Sequence, residues 1–392
     1  MPRPGDQEVG RRLQERRKIA GDTQQTIAER LGVSRATVAA IEAGQRILAP
    51  QLVVQLAEAY RLGVSDLLRV TTPPASLAAQ FRTPGLVDAS EREQLERAVA
   101  SLEVVVEDYL YLEQIVDAPM MAPAPPSYRS MRTGRVQDAE VVADTERRRL
   151  GVGDGPVYRL RQFMERELGV RVFSLPLPNG VAGLFGWSAA AGACMAMNAA
   201  HPHTRQRWTL AHELGHCLTD TEVPEVTHVA RYQRQPERER FAEAFAAAFL
   251  MPRSGLERHL REIKARGQPV VADLLVVARD YEVSPQALVL RIEDLGLVAP
   301  GLWDRLQAAR LDIGEALRVL GLDAVTSDRR LLPARFELLA LEAFARELLT
   351  ERQLADLMRV DRLAARELVR EIGERDLPHT SLDPSAPLRL GG

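Results

Sequence analysis

Apolar and polar positions divide the chain into stretches with different periods. Over residues 8 to about 69 they recur at helical spacing in short bursts. Val9 and Leu13 lie on a first helix that also carries Arg16 and Arg17 and stops near Gly21-Asp22. Residues 24–31 form a second helix closed by Gly32, and Ser34 opens a third that runs through Ala43 to Gly44. A glycine just past one periodic run and a hydroxyl just before the next are helix stop and start signals. Two short helices joined by Gly32-Val33-Ser34 predict a helix-turn-helix. Residues 70–89, with Thr71-Thr72-Pro73-Pro74 and Thr83-Pro84-Gly85, read as a connection. Ser90 and Glu93 then make a capping box for a helix to about residue 116. Leu95, Val99, Leu102, Val106 and Leu110 share one of its faces, a stripe suited to packing or dimerisation. Prolines at 119, 123, 125 and 126 end this module.

From about residue 136 the pattern shifts. A helix acidic at its start and basic at its end reaches Arg149, a glycine-rich turn follows, and a helix covers 157–168. Short apolar runs at 170–175, 182–187 and 194–198, separated by Pro and Gly, predict strands of a small sheet. Helical periodicity returns over 204–218 and, ended by Pro252, over 237–250. It continues over 256–265, 270–281 and 284–295. Residues 301–375 are rich in Leu, Ala, Arg and Glu and predict further helices. Residues 350–358 and 361–371 have the spacing of a second helix-turn-helix, but the glycine turn is missing and acids are many, which favours a plain helical bundle. The tail, 376–392, has no periodicity and is expected to be mobile. The expected fold is mainly α with a small β-sheet (α+β). Its divisions are a helical domain at 1–69, a linker and long helix at 70–134, a central domain at 135–298, a helical domain at 299–375 and a tail at 376–392.

Length and composition narrow this picture little. A chain of 392 residues exceeds one ordinary core. The net charge of −3 gives no global attraction to nucleic acid or anionic membrane, so any such surface must be local. Two cysteines suit a reducing compartment, no apolar run is long enough to cross a bilayer, and the N-terminus lacks a signal core. These features predict a cytoplasmic protein.

The candidate chemistry lies in Trp208-Thr209-Leu210-Ala211-His212-Glu213-Leu214-Gly215-His216-Cys217-Leu218. His212 and His216, four apart on a helix, project from one face and can hold one ion through neutral imidazole nitrogens. Glu213 leans over the same ion and can take a proton from its water, the general-base role in zinc peptidases. Cys217 is expected to be a packed small residue. A catalytic zinc needs a third protein ligand, and Glu222, Glu225, His228, Glu237, Glu239 and Glu243 are available downstream. Glu239 and Glu243 share a face of an otherwise apolar helix. Spacing alone favours one of them as ligand and the other as the acceptor orienting a ligand histidine, with His228 next. No residue is identified by the sequence as stabilising an oxyanion; Tyr232 and His228 lie on a loop expected to skirt the site, where ordinary loop roles are favoured.

Two resemblances sharpen these readings. Residues 23–38, Thr-Gln-Gln-Thr-Ile-Ala-Glu-Arg-Leu-Gly-Val-Ser-Arg-Ala-Thr-Val, with Ile41-Glu42-Ala43-Gly44, resemble the lambda-repressor-like, Cro/C1-type (XRE) DNA-binding domains. The resemblance implies that Ser34, Arg35, Ala36 and Thr37 start the helix that faces base edges, while Gln24, Gln45 and Arg46 meet phosphates. A protein-docking role for such a domain is the alternative. The segment from Arg205 to His216, with Phe245-Ala246-Ala247-Ala248-Phe249-Leu250-Met251-Pro252, resembles the ImmA/IrrE family of bacterial zinc metallopeptidases over roughly residues 135–295. Phe173-Ser174-Leu175-Pro176 and residues 180–184 match that family's approach to the motif. This resemblance implies a zincin-like, gluzincin-type endopeptidase fold binding Zn²⁺, with Glu239 as third ligand. Glu243 stands where the family usually has Asn or Asp, in an orienting role. It further implies a cytoplasmic transcription regulator that cleaves a partner repressor or antitoxin-like protein in a stress, DNA-damage or mobile-element response. DNA, a protein substrate and a second copy in a homodimer are the expected partners, with no membrane. The rival reading is a non-catalytic regulator whose metal site is structural or ligand-sensing.

Overall fold

The computed structural model describes residues 4–46, 49–59, 89–120, 125–128, 136–188, 190–220, 225–228, 237–309, 312–322 and 330–374. The connection expected at 70–89 up to residue 88, the tail at 376–392, and Glu222 and Tyr232 lie outside them.

The N-terminal helices are α1 (Pro4–Ile19), α2 (Gln24–Leu31), α3 (Arg35–Glu42) and α4 (Pro50–Ala59). Leu13, Ile27, Ala28, Val38, Ile41 and Leu56 form their common core. Both predicted caps are in place. Gly32 adopts a left-handed conformation (φ 65°), and Ser34 Oγ accepts from the Thr37 amide at 3.1 Å. A Cβ at Gly10 would collide with the Ile41 carbonyl, so α1 crosses α3 at backbone contact. That crossing is locked by Arg17, whose Nε and Nη2 donate to Glu42 at 2.6 and 3.0 Å.

The long helix α5 (Ala89–Val116) carries the predicted stripe, with Leu95, Val99, Leu102 and Val106 buried. After it come α6 (Val136–Arg149), α7 (Leu160–Leu168), β1 (Arg171–Leu175), β2 (Val181–Ser188), β3 (Gly192–Asn198), α8 (His203–Asp220), β4 (Glu225–His228), α9 (Glu237–Leu250), α10 (Arg253–Arg266), α11 (Val271–Asp280) and α12 (Pro285–Asp294). The four strands are ordered β1-β3-β2-β4, with β1 parallel to β3 and the other pairs antiparallel. Strand alternation splits β3 between two cores. Ala193, Met195 and Met197 face the core shared with α8 and α9, while Cys194 and Ala196 face the core shared with α5. Strand β3 is therefore buried on both sides, which is why it reads as a nearly unbroken apolar run.

The C-terminal helices are α13 (Leu302–Ala308), α14 (Ile313–Val319), α15 (Ala334–Ala345), α16 (Glu351–Met358) and α17 (Arg362–Glu374). Phe336, Leu339, Leu354 and Leu357 join the core beneath the sheet, beside α5. The stripe on α5 is thus covered within the chain by strands and helices from later in the sequence. Among the described residues no helix is long and apolar enough to cross a membrane.

At the junction of α1 with α5, Arg11 pairs with Glu15 and with Glu107. Burial, with Glu107 nearby, pushes the Glu15 carboxyl up from 4.5 to about 8. A carboxyl raised on folding favours the native state at pH below 4.5 and loses that contribution as pH climbs through about 8. Glu15→Gln is therefore expected to raise the melting temperature at pH 8.5 and leave it unchanged at pH 4, as read by thermal denaturation. A lower melting temperature at pH 8.5 would contradict this account of the junction.

Candidate metal centre

The motif helix α8 is built to be buried. Leu210, Ala211, Leu214, Cys217 and Leu218 face the core, and the helix packs on α9 through its only glycine. A Cβ at Gly215 would stand 3.0 Å from Ala242 Cα and 3.3 Å from Phe245 Cδ1, so the two helices touch at small residues. This close approach brings α9 within reach of the histidines. His216 Nε2 lies 3.1 Å from His212 Nε2. The Glu239 carboxylate lies 3.5 Å from His212 Nε2 and 3.4 Å from His216 Nε2.

These three residues offer ligand atoms within 4.8 Å of one another. A tetrahedral zinc with bonds near 2.0–2.1 Å holds neighbouring ligand atoms about 3.3 Å apart. The observed separations of 3.1, 3.5 and 3.4 Å match that spacing, so the donor set fits a zinc ion. Glu243 points elsewhere. Its Oε2 lies 3.1 Å from His212 Nδ1, the ring nitrogen opposite the cluster, and its Oε1 accepts from Trp208 Nε1 at 3.0 Å. A proton on Nδ1 donated to Glu243 leaves the Nε2 lone pair turned toward the cluster.

Charge in the site follows from burial and proximity. Burial alone would lower the His212 pKa, but hydrogen bonds to Glu239 and Glu243 and the Glu213 charge outweigh it and raise it to about 10. Burial likewise works against ionisation of Glu239, yet His212 and His216 hold its pKa below 4.5. Cys217 is fully buried; desolvation pushes its thiol up to about 12, so it stays a neutral packing group.

Glu213 is buried against β2, where Gly183 makes room for it. A Cβ there would meet Thr209 Cγ2 at 2.5 Å, Glu213 Oε1 at 2.9 Å and the Ala196 carbonyl at 3.1 Å. Gly183→Ala is therefore expected to displace the motif helix and destabilise the domain by about 1–3 kcal/mol, the usual cost of overpacking. Denaturant midpoints test this, and an unchanged midpoint would show that the sheet accommodates the methyl group.

The structure places the remaining sequence-predicted residues as follows. Arg35 and Ala36 are exposed at the start of α3, beside Ser34 and Thr37, whose hydroxyls lie 3.0 Å apart. Arg46 reaches back to Thr37 Oγ1 at 3.3 Å, and Gln45 is exposed. Gln24 is half-buried, its amide donating to Glu42 at 2.9 Å. Ser34, Arg35, Ala36, Gln45 and Arg46 are thus exposed, Thr37 is half-buried among them, and the Gln24 amide is already engaged. The backbone at 225–228 forms the outer strand β4, a strand that sequence periodicity did not predict. Trp208 was also missed as a site residue. Its place one turn before His212, on the same helix face, was the available signal.

Residues 165–293 match a peptidase family model described as the IrrE N-terminal-like domain, and residues 13–67 match a helix-turn-helix family. The two stand in the order that the motifs imply. No curated protein matches the chain. Among solved structures the chain is similar to ComR from Streptococcus suis, at 13% identity over 94% of each chain, with a TM-score of 0.16 that carries no argument. The chain thus joins a helix-turn-helix domain of a DNA-binding regulator to a metallopeptidase-like domain.

Proposed function

We propose that this chain is a DNA-binding regulator and zinc-dependent endopeptidase that cleaves a partner protein, a repressor or antitoxin-like regulator in a stress, DNA-damage or mobile-element response. The observation that carries the reading is the convergence of His212, His216 and Glu239 on one point beside Glu213, a carboxylate outside that cluster. His212, His216 and Glu239 would hold the ion, and Glu243 would orient His212. A bound zinc ion supplies Lewis acidity toward both a peptide carbonyl and water. Glu213 accepts the proton of the attacking water and passes it to the leaving amine. At the other end, Arg35, Ala36 and Thr37 would read base edges, with Ser34 fixing the start of their helix. Gln45 and Arg46 would hold phosphates, and Gln24 would join them on release from Glu42. Restriction to one folded partner rests on the ImmA/IrrE resemblance.

One observation favours the rival reading, a structural or ligand-sensing site: Glu213, His216 and His212 are only 0%, 1% and 6% exposed. A buried structural ion, however, has no use for an adjacent general base. Co-expression with a candidate repressor, should one be encoded in a neighbouring gene, separates the two. Fragments from wild type and none from Glu213→Gln support proteolysis; equal fragment yields discard it.

A further inference from the structure

Three stretches of the chain share one backbone device: a short helix, a left-handed residue, a single apolar residue, and a second helix capped by a side chain. In the N-terminal domain these are α2, Gly32, Val33 and Ser34 with α3. In the peptidase-like domain they are α11 with Tyr281, then Glu282 (φ 52°), Val283 and Ser284 with α12. In the C-terminal region they are α16, Arg359 (φ 58°), Val360 and Asp361 with α17. The turn hydrogen bond is equivalent in all three: Val33 N to Ala28 O at 2.9 Å, Val283 N to Ala278 O at 3.0 Å, and Val360 N to Ala355 O at 3.1 Å. Asp361 Oδ1 accepts from the Ala364 amide at 2.8 Å, as Ser34 accepts from Thr37. The correspondence extends outward from the turn. Thr23 and Thr350 cap the first helices, Ile27 and Leu354 are buried, and Val38 and Ala365 are buried in the second. The glycine missing from this turn is replaced by an arginine that takes the same left-handed conformation, against the usual Cβ penalty.

What distinguishes the three is the outward face of the second helix. On α12 the positions equivalent to Arg362, Arg366 and Arg370, counted from the shared turn, are Pro285, Val289 and Glu293, with no cation. On α17 that face shows Arg362, Arg366 and Arg370, all exposed and four residues apart. Like charges at that spacing oppose helix formation, and a polyanion on that face removes the penalty. Residues 351–374 are not basic in sum, with five Arg against six Asp and Glu. The cations are concentrated on one face rather than in excess. Arg366 Nε meets Glu351 at 2.9 Å, but the pair is 67% and 34% exposed, so phosphate can compete for it.

From this geometry we infer that α16 and α17 form a second DNA-binding helix-turn-helix, with Arg362, Arg366 and Arg370 meeting the phosphates of a duplex. Its first helix is fixed by buried Leu354, Ala355, Leu357 and Met358. Arg359 donates to Asp108 of α5 at 2.5 Å. The next residue back along α5 is Glu107, which Arg11 of the N-terminal domain holds. Both helix-turn-helix units are therefore anchored on adjacent residues of one helix.

The test is fluorescence anisotropy of the full chain on a labelled random-sequence duplex several helical turns long, titrated across a salt series. The combined variant Arg362→Gln/Arg366→Gln/Arg370→Gln keeps good helix formers at every position. It is expected to weaken binding at least about ten-fold at low salt and to flatten the slope of log affinity against log salt by about 2–3. Glu367→Gln, on the flank of the same helix, is expected to tighten binding, and it supplies a gain that misfolding cannot imitate. Arg35→Ala/Thr37→Ala should leave residual binding that adding the three glutamine substitutions to it removes. The inference is overturned if the triple variant matches wild type in affinity and slope while Arg35→Ala/Thr37→Ala abolishes binding. That outcome leaves the N-terminal reader standing. Wild-type protein that binds no duplex at any salt overturns both. Should the triple variant lose helical circular dichroism, Glu367→Gln decides alone, and unchanged affinity there overturns the proposal.

Discussion

Glu213→Gln is expected to retain stoichiometric zinc and to lose cleavage by about 10²–10⁴-fold, the range that a positioned general base contributes. Glutamine has the shape of glutamate, so the space left by Gly183 still accommodates it and the motif helix keeps its seat. What disappears is the ability to accept a proton. His212, His216 and Glu239 form the cluster that would hold the ion, and Glu213 is not among them. Metal content by mass spectrometry, measured beside single-turnover cleavage of the partner, separates the two effects. A variant that keeps its zinc and cleaves at the wild-type rate would remove Glu213 from the chemistry.

The second large effect concerns the third ligand. Glu239→Ala is expected to lose stoichiometric zinc. Glu243→Ala is expected to keep it with affinity lowered about 10–100-fold, the usual cost of losing a group that orients a ligand. The assignment rests on which imidazole nitrogen each carboxylate meets: Glu239 faces Nε2 of both histidines, whereas Glu243 faces Nδ1 of one. Stoichiometric zinc in Glu239→Ala would reverse the roles. The same site predicts a pH dependence. With its pKa raised from 6.5 to about 10 in the metal-free protein, His212 stabilises the fold below pH 6.5 and ceases to do so as pH climbs through about 10. Zinc competes for that proton. Its apparent affinity should therefore rise across this interval, and binding should release protons that calorimetry in two buffers can count. Affinity independent of pH would mean that the histidine is already neutral.

The features legible in the sequence are those that local stereochemistry dictates. Gly32 and Ser34 announced their turn because left-handed backbone favours glycine and an exposed helix start needs an acceptor. His212 and His216 announced a shared face through their spacing. The stripe on α5 was equally visible, but its partners, Phe173 and Cys194 on the sheet and Phe336 on α15, come from distant parts of the chain. Pattern alone could show that the stripe needed cover and not what supplied it. Strand β4 was invisible because Glu-Val-Thr-His has neither length nor alternation, and its pairing with β2 is entirely nonlocal. At Arg359 a left-handed turn forms without the glycine that usually marks one. Packing of α16 into the core beneath the sheet holds that residue left-handed, so tertiary contacts override a preference worth only about 1–2 kcal/mol. The bond from Trp208 to Glu243, spanning 35 residues, had to await the crossing of two helices at Gly215 and Ala242.

The sulfur chemistry of this centre is silent by design of its surroundings. Cys217 adjoins His216, yet as a fully enclosed thiol, and Cys194, on β3 of the sheet, is held in the same condition. Peroxide and electrophiles attack thiolates, and neither sulfur is ionised at physiological pH. An oxidising burst that ejects metal from cysteine-ligated zinc proteins should therefore spare any ion that His212, His216 and Glu239 would hold, because no sulfur is among those donors.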